Sequence, residues 1–199
     1  MNNEIKISQE NALNAYNNAS AEGKELLEHL LGKEVFMPKD ITERIKTFDD
    51  VLHEVNRLAE AGDEDAADLL ADYESNADNI KMKETVAYMK LCLIAYALNE
   101  GWKPQFTTNE YRWFPWFRLF TQKELDNMDD EKKSRVVDRS SNGANPDGGV
   151  ASVISNGDPS FSHAGIGTRL AFKTQELAKY AGKQFLDIWS DYVFKPKEK

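Results

Sequence analysis

Apolar residues recur at helical spacing through the first hundred positions, and the pattern changes beyond them. Ala12, Leu13 and Tyr16 follow Ser8, a residue type that caps helices, and a second helical run over 22–31 stops at Gly32. After Pro38, Asp40 with Glu43 has capping-box spacing, and Thr47 with Asp50 repeats it. The helix that Thr47 opens carries Phe48, Val51, Leu52, Val55, Leu58 and Ala59 on one stripe and ends at Gly62. Asp63 opens another, with Ala66, Leu69, Leu70 and Tyr73 on one face and Glu64, Asp65, Asp68 and Asp72 on the other. Over 83–99 the polar face all but vanishes towards the C-terminal end, which predicts a central helix. Glu100-Gly101-Trp102-Lys103-Pro104 ends it and redirects the chain.

The second half reads as mixed. Residues 111–120 hold six aromatic rings and two arginines in ten positions. Their composition is strand-like, and Pro115, lacking a ladder donor, points to an edge or a break. Thr121 with Glu124 is a further capping box. Residues 134–139, 149–155 and 168–172 are three short strand candidates. Leu177, Tyr180, Ala181, Phe185, Ile188, Trp189, Tyr192 and Val193 form one stripe over 175–193. The fold expected is α+β in a single domain over 1–199: an N-terminal helical half, then a small antiparallel sheet covered by a long C-terminal helix. Between 140 and 167 fall six of the eleven glycines, with Asn-Gly and Gly-Asp-Pro steps. These form either two hairpin loops or a mobile recognition loop.

Composition fits a soluble globular chain, with 41% hydrophobic and 30% charged residues. The start lacks the cationic-then-apolar order of an export signal. The apolar run 91–98 is far short of the roughly 20 residues that span a bilayer, so the cytoplasm is expected and no membrane partner. One cysteine and three histidines give no zinc spacing and no internal disulfide. The net charge of −9 divides unevenly: residues 1–100 carry 10 Lys or Arg against 21 Asp or Glu, hence −11, and residues 101–199 carry 15 against 13, hence +2. That field opposes duplex binding over the whole surface. It leaves room for a local groove in the second half and for a basic partner of the first.

No catalytic constellation stands out. Asp158, Ser160, Ser162 and His163 are neighbours in sequence, whereas triad members normally converge from separate parts of a fold. Gly165-Ile166-Gly167 lacks the third glycine and the helix start of a dinucleotide fingerprint. The acidic positions 63–72 lack the pattern of a calcium loop and read as a solvated helix face. No cofactor is expected. The rings of 111–120 either anchor a core or, on alternate positions, offer a stacking platform beside Arg112 and Arg118.

The passages at 39–50, 97–104, 113–117, Arg169-Leu170-Ala171-Phe172-Lys173 and Ala181-Gly182-Lys183-Gln184-Phe185 resemble those of a family of uncharacterised proteins. Its members are carried by phages, prophages and mobile elements of Bacteroidales gut bacteria, and the resemblance covers most of the chain. It implies a phage-related protein made in a bacterial host cytoplasm, or associated with the virion. It transfers no catalytic residue. The expected function is non-catalytic binding or assembly through a surface of Arg112, Trp113, Trp116, Arg118, Arg135, Arg139, Arg169 and Lys173. The partner would be a phage or host protein, with homo-oligomerisation open. The alternatives are binding of single-stranded nucleic acid or nucleotide by stacking on Trp113 and Trp116, and a small hydrolase or transferase using His163.

Overall fold

Side-chain caps fix the helix starts where the sequence places them. The structure is a computed structural model and describes residues 6–105, 107, 109–138, 148–159 and 168–193. Two compact units are present, Met1–Arg44 and Ile45–Lys199.

The first unit contains α1 (Gln9–Asn18), α2 (Ala21–Leu31), a tight turn at Lys33–Phe36 and α3 (Ile41–Arg44). Ser8 accepts the Asn11 N–H at 3.3 Å, Ser20 accepts that of Gly23 at 3.3 Å, and Asp40 accepts that of Thr42 at 2.8 Å. The Tyr16 ring stacks on Phe36 at 4.3 Å, and its hydroxyl donates to the Glu28 carboxylate.

The second unit is α+β. Its helices are α4 (Phe48–Glu60), α5 (Glu64–Asn76), α6 (Lys83–Leu98), α7 (Gln122–Asp126), α8 (Asp130–Lys133), α9 (Gln175–Gln184) and α10 (Leu186–Val193). The capping boxes Thr47/Asp50 and Thr121/Glu124 are both closed reciprocally, and Asp63 caps α5. Helix α6 is central: Leu91, Leu93, Ile94, Ala97 and Leu98 are sealed, and α4, α5, α9 and α10 pack around it. Burial on all sides is why this helix has no polar face.

Strands β1 (Tyr111–Thr121), β2 (Val137–Asp138) and β3 (Gly148–Pro159) form an antiparallel sheet in the order β1-β3-β2. Pro115 therefore stands in an edge strand, where a missing donor is tolerated. Three expectations are corrected. Thr168–Leu170 is a 3-10 turn, not a strand, and only Phe172 beyond it bridges to Trp113. Asn156, Gly157 and Asp158 are not a turn but pair with Phe114, Trp113 and Arg112, because the long β1 offers a ladder that outweighs local turn preference. The long C-terminal helix is two helices broken at Phe185 (φ −113°, ψ 33°), and Phe185 and Trp189 are both buried. The loops at 139–147 and 160–167 lie outside the described residues.

One short segment joins helix to sheet. The buried Asn99 amide, just past α6, donates to the Ala171 carbonyl at 2.8 Å and accepts the Lys173 N–H at 2.9 Å. Between those contacts, Phe172 exchanges two backbone bonds with Trp113, at 3.0 and 2.8 Å. Replacing Asn99 with Ala leaves a buried carbonyl and a part-buried N–H without their partner. Asn99→Ala is expected to cost about 2–3 kcal/mol in urea denaturation, with the m-value unchanged.

Candidate functional site

Parity along β1 decides which rings share a face. The irregularity of the β1–β3 pair is an extra residue in β3, Val153: Trp116 stands opposite Ile154 and Phe117 opposite Ser152. Strand β1 itself therefore alternates strictly. Tyr111, Trp113, Pro115, Phe117 and Leu119 share one face, on which Phe117 meets the buried Trp189 ring at 5.2 Å. Arg112, Phe114, Trp116, Arg118 and Phe120 share the other.

Exposure does not follow parity alone: Tyr111 and Leu119 on the first face are about half exposed, and on the second, outer face Arg112 is buried while Trp116 and Arg118 are exposed. Trp116 is 54% exposed, the Arg118 side chain is 62% exposed, and the Arg118 guanidinium lies over the Phe120 ring at 4.7 Å. The face runs into a groove of about 450 Å³ at the start of α7, shared by Arg118, Phe120, Lys123, Met128 and Lys132. Two of its three cations carry carboxylate neighbours: Arg118 pairs with Glu124 at 3.2 Å, and Lys132 with Asp129 at 2.7 Å. The Thr121 backbone N–H, ahead of the Thr121 hydroxyl and Arg118, holds the Glu124 carboxyl below its ordinary range. It stays ionised beside Arg118 near neutral pH.

The sequence-predicted residues do not form one surface. Arg112, at the start of the outer face, is only 3% exposed, so it is no surface cation. Trp113 and Trp116 stand on opposite faces and cannot form one platform; Phe114 is the ring beside Trp116. Arg135 is exposed after α8 and paired with Glu131 at 2.5 Å. Lys173 serves the end of α6, where its ammonium donates to the Asn99 carbonyl at 3.2 Å and pairs with Glu100 at 2.9 Å. Arg139 and His163 lie outside the described residues.

Arg169 belongs to a separate cleft of about 470 Å³ lined from α5, α6 and residues 102–104. Its apolar wall includes Leu69, Ala95, Trp102 and Pro104. At one end the Tyr96 hydroxyl reaches both Asp63 carboxylate oxygens at 2.7 Å. That bond is the main cause of the lowered Asp63 carboxyl, while burial, ahead of Asp63, raises the Tyr96 phenol. Gly101 (φ 72°) lies against this pair: a Cβ there would stand 3.0 Å from Asp63 Oδ2. Cys92, also on the cleft wall, is buried, and burial raises its thiol, so it is no thiolate nucleophile. Trp102 is the residue that sequence reasoning missed, having been absorbed into a helix-stop signal. Among the described residues, no three His, Cys, Asp or Glu side chains stand close enough to share a metal ion. Comparison with protein-family models, curated proteins and solved structures finds no match to the chain.

Two outcomes are expected from this geometry. Trp116→Ala should leave stability within about 0.5 kcal/mol, as exposed positions do, whereas Phe117→Ala, which empties a contact with the buried Trp189, should cost about 2–3 kcal/mol in chemical denaturation. Tyr96→Phe should cost about 1–2 kcal/mol near neutral pH. Because the folded Asp63 carboxyl is lowered, its share of stability is fully present above the ordinary carboxylate range and is lost as pH falls through the lowered value. The gap between Tyr96→Phe and wild type should therefore narrow in acid melts.

Proposed function

We propose that this is a non-catalytic, phage-related binding or assembly protein that engages a protein partner through the outer face of β1. The observation that carries the reading is the exposed pair Trp116 and Arg118, with the half-buried Phe120 beside them, on a strand whose opposite face meets the core at Phe117. Tryptophan and arginine are the side chains most enriched where protein interfaces concentrate their energy. A rigid strand presents them at little entropic cost.

The charge around the row favours a protein over nucleic acid. Phosphate binding draws on cations that release counterions, yet Arg118, Lys132 and Arg135 each stand within 3.2 Å of a carboxylate. Such pre-paired charges suit the polar rim of a protein interface. The phage setting rests on the family resemblance of the sequence, and with it a place in the host cytoplasm or on the virion. Consistent with this, no helix among the described residues is long and apolar enough to cross a membrane.

A photo-crosslinking residue at position 116, compared with one at the exposed Lys179 on α9, tests the reading in cells producing the phage or element. The expected result is a protein adduct of defined mass at 116 only, lost when Arg118→Glu is added. Equal labelling at the two positions would sink the proposal. A salt-dependent affinity for an unstructured oligonucleotide, abolished by Trp116→Ala, would transfer this face to the nucleic-acid alternative.

A further inference from the structure

The cleft between α5 and α6 has features that the β1 face does not explain. Carboxylates along a helix are ordinarily a solvated face. Here they border a cavity of about 470 Å³, a size that suits a small organic group, whose other wall is an indole with aliphatic neighbours. Asp65, Asp68 and Asp72 stand at offsets of three and seven on α5, so all three look into the same space. Asp65 is engaged by Lys103 at 2.5 Å. Asp68 and Asp72 have no ion-pair partner among the described residues. Across the cleft, the Arg169 guanidinium stands by the Tyr88 hydroxyl and Cys92 instead of neutralising them.

These contents narrow the ligand. An anion would meet more carboxylates than cations. A bare metal ion lacks a convergent set of donors among the described residues. A neutral apolar molecule would cover Trp102 and leave Asp68 and Asp72 facing it unpaired. A guanidinium group suits the acidic and aromatic walls: it is planar and stacks on an indole, its N–H fork matches a carboxylate bidentately, and it keeps its charge at any physiological pH. An apolar stem behind it would lie along Leu69 and Pro104.

We propose that this cleft is a binding site for a guanidinium group carried on an apolar stem, as an arginine side chain presents it, with Asp68 and Asp72 accepting its N–H groups and Trp102 stacking on its plane. Arg169 keeps the cation on the α5 side. The acidic field of residues 45–100, with 5 Lys or Arg against 13 Asp or Glu, concentrates such cations near the cleft. This site is independent of the outer face of β1.

Calorimetric titration of the full chain tests it with three probes: free arginine amide, a nine-residue peptide with one central arginine, and the same peptide with neutral, nearly isosteric citrulline. The arginine peptide is expected to bind at least tenfold more tightly than the citrulline peptide, and the Asp68→Asn/Asp72→Asn double variant to lose that difference. Both positions are exposed, so the double variant should keep its fold, and an unchanged melting curve checks this. Trp102→Phe, which keeps a ring, should retain part of the preference. Binding of arginine amide as tight as the peptide identifies a small-molecule site; preference for the peptide identifies a protein segment as the source. Equal binding of arginine and citrulline peptides, or an unaltered preference in the double variant, overturns the proposal. Trp116→Ala should leave this titration unchanged, so failure here and failure at β1 are separable.

Discussion

The constraint on which the second unit depends is the shared use of one tripeptide, Ala171 to Lys173, whose first two residues are buried. Ala171, Phe172 and Lys173 give a carbonyl and an N–H to the Asn99 amide, and between them a donor and an acceptor to Trp113. Backbone groups withdrawn from water need partners, and here those partners lie 59 to 74 positions away in sequence. Leu170, Ala171 and Phe172 are at most 1% exposed, so the segment also plugs the core beside α6. The end of the central helix and the edge of the sheet are thereby held at one place. The orientation of β1, and so of its outer row, follows from that attachment.

Both candidate surfaces rest on this frame but differ in electrostatic character. On β1 the exposed cations already sit beside carboxylates, so a partner gains contact area and shape rather than a strong field. In the cleft, charge is left over: two carboxylates of α5 face an indole and lack a counterion within the described residues. The first arrangement suits a protein surface, the second a compact cation. Burial raises the Cys92 thiol on the cleft wall, so it adds no further anion there.

Much of the helical architecture was legible from local chemistry. Ser8, Thr47, Asp63 and Thr121 begin helices because an acceptor at the cap meets orphan N–H groups whatever lies elsewhere. The apolar run of α6 marked it as central, and Pro115 marked an edge or a break, of which the sheet shows the edge. The strands around positions 150–172 were read less well. Asn156-Gly157-Asp158 carries every local mark of a turn, yet Arg112–Phe114 supplies a ladder for it. Leu170 and Phe172 look like strand residues because burial, not pairing, selects them. The platform itself was misassigned by parity: positions 113 and 116 differ by an odd number, so a strand places them on opposite faces, and Phe114 was the ring to choose.

By itself, the sequence determined the caps, the helix that must be central, a strand that Pro115 confines to an edge or a break, and the acidic bias of the first half. Each follows from a residue and its neighbours within about one helical turn or a few strand positions. Tertiary structure alone decided that Arg112 is buried while Arg118 is exposed beside Glu124, that Lys173 secures α6, and that Trp102, Asp68 and Arg169 share one cleft. Those outcomes depend on contacts between segments far apart in the chain, and no local pattern of side chains encodes which distant surface will cover them.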